Sequence, residues 1–252
     1  MFDRHAKGGT MAQRTALVIG TSSGISHAVA RRLVTDGHRV AITYSEEAPP
    51  EFFSVHCDLA QVDTIESAFG EVESGLGPVG ILVVDAGVPR EPRLPGPAAT
   101  DLSHATRVGL RAVSAAANRA RESMKQAEWG RMIFLASPLA MVDETGPARY
   151  AGFSFNAGLN GLVQSLTEEL AADNIAVNVV APGLIEGDEK VQLSPGIRTH
   201  PMWHIPAHRA GRPAEVAAAV SFFADDRSGY VNGTTLRVDG GIGIRTGMNN
   251  RL

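Results

Sequence analysis

Residues 15–33 read TALVIGTSSGISHAVARRL, and this stretch decides the fold. It opens with the apolar run 16–19, which has the length of a buried strand, and continues through a turn of small residues. Apolar residues then recur at helical spacing, at Ile25, Val29, Ala30 and Leu33. A strand, a glycine turn and a helix in this order predict the start of a nucleotide-binding βαβ unit.

Glycine suits two positions of this turn for steric reasons. Gly20 lets the chain turn without a Cβ clash, and Gly24 lets a phosphate approach the backbone where the helix begins. A helix N-terminus offers free N–H groups and the positive end of the helix dipole, and both attract anions. We therefore predict a phosphate-binding turn formed by Gly20, Ser22, Ser23, Gly24 and Ile25.

The rest of the chain alternates apolar runs with helical patterns. Further strands are predicted at 39–44, 52–56, 80–84, 131–136, 176–180 and 234–238. Helices are predicted from Val62, within 98–126, from just after Tyr150 to about Asp173, and over 215–224. This alternation predicts an α/β fold of the Rossmann type, a single doubly wound parallel sheet with helices on both faces.

Composition limits the function classes. The chain has 252 residues, which favours one α/β domain, and its net charge of −4 gives no nucleic-acid footprint. No apolar run approaches the length of a membrane span. A single cysteine, Cys57, excludes an intrachain disulfide and favours a reducing compartment, so we expect a cytoplasmic protein. Residues 1–11 are expected to be a disordered leader, and residues 12–252 a single domain.

Eight short pieces of the chain together form a recognisable pattern. They are Gly20-x-x-x-Gly24-Ile25, Cys57-Asp58-Leu59, Asp85-Ala86-Gly87, the run 130–133, the pair Ser137/Tyr150, Ala181-Pro182-Gly183, the run 211–217 and the run 238–241. On these pieces the chain resembles the short-chain dehydrogenase/reductase family, and most of all its bacterial β-ketoacyl-ACP reductase branch. The resemblance implies an NAD(P)H-dependent carbonyl reductase.

The resemblance also implies how a cofactor would be held. Asp58 would accept from the adenine amino group, with Leu59 beside the ring, although an Asp after a strand is also a common helix cap. The Ala86-Gly87 turn would pack beside the adenosine ribose. Pro182 and Gly183 would lie against the nicotinamide, with its carboxamide meeting the backbone near Ile185. Ser26 stands at the position of the family's third glycine, and its hydroxyl would still be able to reach a phosphate.

The end of the second strand bears on cofactor choice. In this type of fold an acidic residue there binds the ribose 2′-hydroxyl of NAD. Here the strand ends in Tyr44-Ser45, which favours NADP over NAD, so both residues are predicted cofactor contacts. The preference is modest because no Arg stands there and because Glu46 and Glu47 would repel a 2′-phosphate.

The catalytic residues implied by the resemblance are only partly present. Ser137 would bind the carbonyl oxygen and Tyr150 would give the proton. The family's Lys, four residues after the Tyr, is missing, because Ser154 stands there. The run 156–162 matches the family's lysine-containing run, so Asn156 takes the Lys position after a two-residue insertion between Tyr150 and the helix. Asn156 would then bind the nicotinamide ribose.

The second polar helper of the family, a helical Asn, is also missing, because Gly109 takes its place. An ordinary tyrosine has a pKa of about 10. Without an ammonium group nearby, the tyrosinate left after proton donation is poorly stabilised. Such a site needs another proton source, either a water or a hydroxyl on the substrate beside the ketone.

Three hypotheses about function follow. The leading one is an NADPH-dependent ketoreductase of a polycyclic or phenolic ketone, similar to the angucyclinone-type reductases of aromatic polyketides. Five residues would cover a flat apolar substrate, although such residues are more often core: Met141, Phe153, Phe155, Met202 and Trp203. The alternatives are a weak β-ketoacyl-ACP reductase and a catalytically dead nucleotide-binding partner or sensor.

The sequence also allows predictions about binding partners and metal ions. A basic patch would favour the carrier-protein alternative, and its candidates are Arg107, Arg111, Arg119, Arg121 and Lys125. The resemblance implies a homotetramer that pairs through the helices of 98–126 and 150–173 and through the last strand. No metal site is expected, since prolines interrupt the four-residue spacing of His200, His204 and His208.

Overall fold

The computed structural model describes residues 12–20, 24–85, 99–136, 147–187 and 205–245. Seven strands form one sheet: β1 (Thr15–Gly20), β2 (Arg39–Tyr44), β3 (Phe53–His56), β4 (Val79–Asp85), β5 (Gly130–Leu135), β6 (Ile175–Pro182) and β7 (Thr235–Val238). The helices are α1 (Gly24–Thr35), α2 (Val62–Leu76), α3 (Ala99–Gln126), α4 (Pro147–Leu170), α5 (Pro213–Ala224) and α6 (Ile242–Arg245). Short 3₁₀ turns follow α4 at Ala171–Asp173 and α5 at Asp226–Ser228.

All strands of the sheet are parallel, in the order β3-β2-β1-β4-β5-β6-β7. The predicted doubly wound fold is thus confirmed. Successive strands are added on one side of β1 up to β3 and on its other side from β4 onward, so the strand order reverses between β1 and β4, where Gly20 is the register partner of Asp85. Open parallel sheets bind ligands outside the carboxyl ends of the strands at such a switch point.

The apolar runs are continuous because both faces of the sheet are covered. Leu17 and Ile19 of β1 pack into one core beneath α2, α3 and α4. Ala16 and Val18 of the same strand pack into a second core beneath α1 and α5. Every residue of β1 is buried, which a sheet open to water on one face would not require.

The predicted helical segment 98–126 contains one helix, α3 at Ala99–Gln126, which agrees with the expected one or two. One predicted boundary differs from the structure. Helix α4 begins at Pro147, so Tyr150 lies inside the helix. Proline suits the first helical turn because its fixed φ is already helical and its missing N–H would have no partner there. In the part of the chain that is described, no helix is both long and apolar enough to cross a membrane.

Candidate active site

Gly20 closes β1 at the switch point and is held by a side chain of β2. Its N–H donates to Thr43 Oγ1 at 3.0 Å, and the Thr43 hydroxyl donates to the Gly20 carbonyl at 3.1 Å. A Cβ at Gly20 would lie 2.6 Å from Ser26 Oγ and 3.1 Å from Asp85 Cβ. Because three elements converge here, the end of β1 has space only for a glycine.

Helix α1 follows at once and presents its N-terminus at the same edge of the sheet. Gly24 is exposed, and a Cβ there would lie at an ordinary contact distance, 3.8 Å from Pro213 Cγ. Ile25 is buried and anchors the first turn in the core. The first N–H groups of a helix lack intrahelical partners and attract anions, so this end of the cleft fits a diphosphate. The predicted contacts Ser22 and Ser23 lie outside the described residues.

Ser26 is buried at the start of α1. It is 1% exposed, and its hydroxyl donates to Asp85 Oδ2 at 3.3 Å. The hydroxyl therefore contacts the end of β4, and the predicted contact with a phosphate stays a prediction. Two departures from the family pattern, Ser for Gly at 26 and Asp for Asn at 85, thus touch each other across 59 residues of chain.

The predicted adenosine end of the cleft is the region at the carboxyl ends of β2 and β3. Tyr44 is half-buried, and Ser45, Glu46 and Glu47 after it are exposed. Tyr44 and His56 are register partners, and their rings meet edge to face with centroids 5.7 Å apart. The structure therefore brings an exposed imidazole to the position where a ribose 2′ group is recognised in folds of this type.

Asp58 follows β3 and shapes the turn that leads into α2. Its carboxylate accepts from the Ala60 N–H at 2.9 Å and from Gln61 Nε2 at 2.8 Å. The residue at the N-cap of α2 is Gln61, so the helix-cap alternative for Asp58 is wrong. Each carboxylate oxygen has a further lone pair, so the predicted bond from an adenine amino group stays a prediction. Leu59 is half-buried and packs against the core beneath α2.

The predicted nicotinamide end of the cleft is the region beyond β6, which ends at Pro182. The Gly183 N–H donates to the Val238 carbonyl at 2.9 Å, and a Cβ at Gly183 would lie 2.7 Å from Asp239 Cα. Ile185 is buried and forms an isolated parallel bridge with Gly211. The bonds of this bridge come from the residues before and after Ile185, which directs its own N–H and C=O away from Gly211. That geometry fits the predicted contact with a carboxamide.

Helix α5 is tied to this region by an ion pair. Arg209 donates two hydrogen bonds to the Glu215 carboxylate, at 2.8 and 2.6 Å, and the Arg212 N–H donates a third at 2.7 Å. The Arg209 guanidinium and the Arg212 N–H together lower the pKa of Glu215 to about 2. Glu215 also completes a capping box at the start of α5, which holds Pro213 beside Gly24 of α1.

The residue at which α4 begins determines where Tyr150 and Asn156 lie around the helix axis. The helix is continuous from Pro147, so the prediction that Tyr150 precedes the helix is wrong, and the two residues that the resemblance counts as inserted lie within the helix. Successive residues of a helix turn by about 100°, which separates positions 150 and 156 by about 120° around the axis. The position four residues before Asn156, on the same face, is held by Gly152, which is buried.

Asn156 is half-buried, and the pair of positions that the resemblance assigns to Tyr and Lys therefore holds Gly152 and Asn156. Tyr150 occupies a different face of the first turns of α4. Gly109, at the position of the missing helical Asn, is buried in α3, which packs along α4. Ser137, Ala86 and Gly87 lie outside the described residues, as do Met141, Met202 and Trp203.

The two Phe residues predicted to cover a substrate differ in their exposure. Phe155 is fully buried in the core beneath α3 and α4, whereas Phe153 is 46% exposed. Phe155 is thus a core residue, as the alternative held. Within the described ranges no group of three His, Cys, Asp or Glu side chains is arranged to hold a metal ion. His200 and His204 lie outside those ranges.

Comparison with known proteins agrees with this geometry. The family model described as enoyl-(acyl carrier protein) reductase matches residues 19–243. The chain belongs to the short-chain dehydrogenase/reductase family. The family is one of NAD(P)H-dependent oxidoreductases, and this protein is a member of that enzyme class.

Among the relatives of this short-chain dehydrogenase/reductase are several acyl-carrier reductases. It is 38% identical over 232 residues to the 3-oxoacyl-[acyl-carrier-protein] reductase MabA of Mycobacterium tuberculosis, covering 92% of this chain and 93% of the relative. It is 31% identical over 242 residues to the 3-oxoacyl-[acyl-carrier-protein] reductase FabG of Staphylococcus aureus, covering 91% and 98%.

Two solved structures have the same fold. A mutant short-chain dehydrogenase/reductase of Serratia marcescens matches with a TM-score of 0.81 at 27% identity, covering 93% of this chain and 99% of that one. A protein of Thermus thermophilus matches with a TM-score of 0.80 at 29% identity, covering 92% and 100%.

Sequence reasoning missed His56. A signal was present, because His56 is the only Lys, Arg or His between Arg39 and Arg90. It also lies two residues before Asp58, which was itself a predicted cofactor contact. The sequence alone does not indicate a role for His56, because its contact with the Tyr44 ring joins residues twelve positions apart on β2 and β3.

Proposed function

We propose that this protein is an NADPH-dependent ketoreductase that reduces the 3-oxo group of an acyl chain carried as a thioester. The observation that carries the proposal is the 38% identity to MabA across 92% of the chain. A match of that length includes the glycine turn, the carboxyl ends of the strands and helix α4. We therefore favour a carrier-bound thioester as the substrate over the polycyclic ketone that the sequence alone favoured.

The described residues fit a dinucleotide. The end of β1 at Gly20 is crowded by Ser26 and Asp85, and α1 beside it begins at the exposed Gly24 and offers the N–H groups of a helix N-terminus to an anion. We propose that Gly20, Gly24, Tyr44, Ser45, Asp58, Gly183 and Ile185 contact the cofactor, together with Ser22, Ser23, Ile25, Leu59, Ala86, Gly87, Tyr150, Asn156 and Pro182. When bound there, the reduced cofactor supplies the hydride.

The remaining steps belong to the chain's own groups. The Ser137 hydroxyl donates to the carbonyl oxygen of the substrate and stabilises the negative charge that develops on it. Tyr150 donates the proton, and the Asn156 amide binds the nicotinamide ribose without adding charge. Because no ammonium group stands at 156, and because position 150 lies about 120° around α4 from it, proton transfer from Tyr150 lacks the electrostatic help that a tyrosine and a lysine four residues apart would give. We therefore expect slow turnover compared with relatives that have a lysine there.

The experiment follows oxidation of the reduced cofactor by absorbance, with acetoacetyl-CoA and a 3-oxoacyl carrier protein as substrates. Turnover that is lost in Ser137→Ala supports the proposal. Tyr150→Phe tests the donor: retention of full activity means that a water supplies the proton. No turnover with any ketone, combined with tight NADPH binding, would instead favour the catalytically dead nucleotide-binding protein.

A second candidate substrate is a polycyclic or phenolic ketone of the aromatic-polyketide type. The observation that favours it is the Gly152/Asn156 pair, because a site without its own proton relay suits a substrate with a hydroxyl beside the ketone. The same assay with 1-tetralone and 8-hydroxy-1-tetralone distinguishes the cases. Preference for the hydroxylated ketone over both the plain ketone and acetoacetyl-CoA would support this candidate.

The basic residues of α3 bear on a carrier-protein partner. Arg119 pairs with Glu66 and Glu73, while Arg121 and Lys125 pair with Glu169. Arg107 and Arg111, one turn apart and exposed, form no ion pair with the residues that the structure describes. We propose this pair as the contact for an acidic carrier protein, in place of the larger predicted patch of five.

We further propose that residues 12–252 form one domain and that the protein is a cytoplasmic homotetramer. Exposed apolar side chains on β7, α5 and α4 support association, and they are Leu236, Phe222 and Phe153. Light scattering at several concentrations tests the tetramer. A monomer at micromolar concentration would contradict it.

A further inference from the structure

The carboxyl ends of β2 and β3 form an acidic surface with one exception. Glu46 and Glu47 are exposed directly after Tyr44, and Asp58 follows β3. No Lys or Arg occurs between residues 39 and 90. His56 is therefore the one side chain of that segment that can carry a positive charge.

His56 also has a defined position. β3 is one of the two edge strands of the sheet, and its last residue is His56, which is exposed. The main chain continues the pairing for one more step, because the Cys57 N–H donates to the Tyr44 carbonyl at 2.9 Å. The Tyr44 ring meets the imidazole edge to face at 5.7 Å, which restricts the orientation of the imidazole.

Asp58, the acidic residue of the turn after β3, already accepts hydrogen bonds from that turn. Both Asp58 oxygens accept hydrogen bonds within the turn, from the Ala60 N–H and the Gln61 side chain. Asp58 therefore has two donors close by that partly compensate its charge, whereas Glu46 and Glu47 are exposed. An anion that approaches the end of β2 meets the imidazole as its one cationic donor from residues 40–89.

We propose that His56 is the residue by which this protein selects a cofactor that carries a 2′-phosphate, with the Tyr44 ring orienting its imidazole at the edge of the sheet. The inference rests on the proposed use of NADPH. It assigns the selectivity to β3, whereas recognition of the ribose 2′ group is expected of a residue at the end of the second strand. A protonated imidazole donates charge-assisted hydrogen bonds to phosphate oxygens, and the exposed geometry limits their strength.

The test measures binding of the oxidised cofactors by titration calorimetry, without any substrate. For the wild-type protein we expect NADP⁺ to bind about five- to tenfold more tightly than NAD⁺. His56→Gln should abolish that preference by weakening NADP⁺ while leaving NAD⁺ unchanged. His208→Gln, the same change at another exposed histidine, serves as the control and should keep the preference.

A second variant keeps the test informative. Ser45→Arg in the His56→Gln background supplies a cation at the end of β2, and it should restore tighter binding of NADP⁺. Equal affinities of the wild-type protein for both cofactors, or a preference retained in His56→Gln, would overturn the role of His56 while leaving the dinucleotide site intact. Failure of both cofactors to bind would overturn the proposed function itself, and the inference with it.

Discussion

The dinucleotide end of the cleft and the catalytic helix have both departed from the family pattern, but in different ways. At the dinucleotide end, Ser26 and Asp85 replace Gly and Asn, and the two new side chains form a hydrogen bond with each other. On α4 and α3, the resemblance aligns Gly152, Asn156 and Gly109 with the family's Tyr, Lys and Asn, and the helical spacing puts Gly152 and Asn156 on one face. These three replacements remove charge or hydrogen-bonding capacity, whereas the replacements at 26 and 85 add a contact with each other.

The largest effect is expected from a double substitution that restores the tyrosine–lysine pair of the family on α4. Gly152→Tyr with Asn156→Lys puts a phenol and an ammonium four residues apart on one helix face, and kcat for acetoacetyl-CoA should rise by about 10²- to 10³-fold. Asn156→Lys alone should change kcat little, because position 150 is about 120° away around the helix. Thermal midpoints of both variants control for misfolding. A large gain from the single variant would mean that Tyr150 and position 156 act together after all.

At the dinucleotide end the largest effect is expected from Gly20→Ala. The new Cβ would lie 2.6 Å from Ser26 Oγ, so the free energy of unfolding should fall by about 1–3 kcal/mol. Gly24→Ala is the matched control, because its Cβ would lie 3.8 Å from the nearest described atom. We expect Gly24→Ala to preserve or raise stability in the absence of cofactor, as measured by urea denaturation. Equal losses in the two variants would contradict the crowding at β1.

The contact between Ser26 and Asp85 is open to a double-mutant cycle. Ser26→Ala and Asp85→Asn should each lower the free energy of unfolding by about 1 kcal/mol, since each removes or weakens a half-buried hydrogen bond to a carboxylate. The double variant should lose less than the sum of the two. Ser26→Gly should also relieve part of the cost of Gly20→Ala. Additive losses would show that the two replacements are independent.

A smaller effect is expected from the surface of α3. Changing both Arg107 and Arg111 to Glu should raise KM for a 3-oxoacyl carrier protein several-fold, because an acidic partner is repelled. KM for the CoA thioester should not change, and Arg121→Glu, a residue already paired with Glu169, should have a weaker effect. The same increase in KM for both substrates would contradict a docking role.

The smallest effect concerns pH and the cap of α5. The pKa of Glu215 in the folded protein is about 2, below its ordinary value of 4.5, so its ionised form stabilises the folded state. That stabilisation is present above about pH 4.5 and is lost as the pH falls towards 2. The difference in thermal midpoint between the wild type and Glu215→Gln should therefore shrink between pH 6 and pH 3. A constant difference would assign the effect of the substitution to packing.

Much of the fold could be predicted, because the patterns that determine it are local. The apolar runs of β1, β4 and β5 are buried on both faces, as continuous apolar strands require. Strand β2 was predicted to the residue, since Gly37 and Tyr44 mark its limits. The site was predicted less completely, because the roles of Ser26 and His56 depend on residues far away in the chain.

The sequence by itself determined the doubly wound parallel sheet, the glycine turn after β1 and the absence of a lysine from α4. Each of these follows from residues within a few positions of one another. Only the tertiary structure decided that Ser26 meets Asp85, that His56 stands beside Tyr44 and that Gly152 lies on the face of Asn156. The first two are contacts between strands and helices that the register of the sheet brings together. The third depends on α4 starting at Pro147, which sets the angular position of every later residue on that helix.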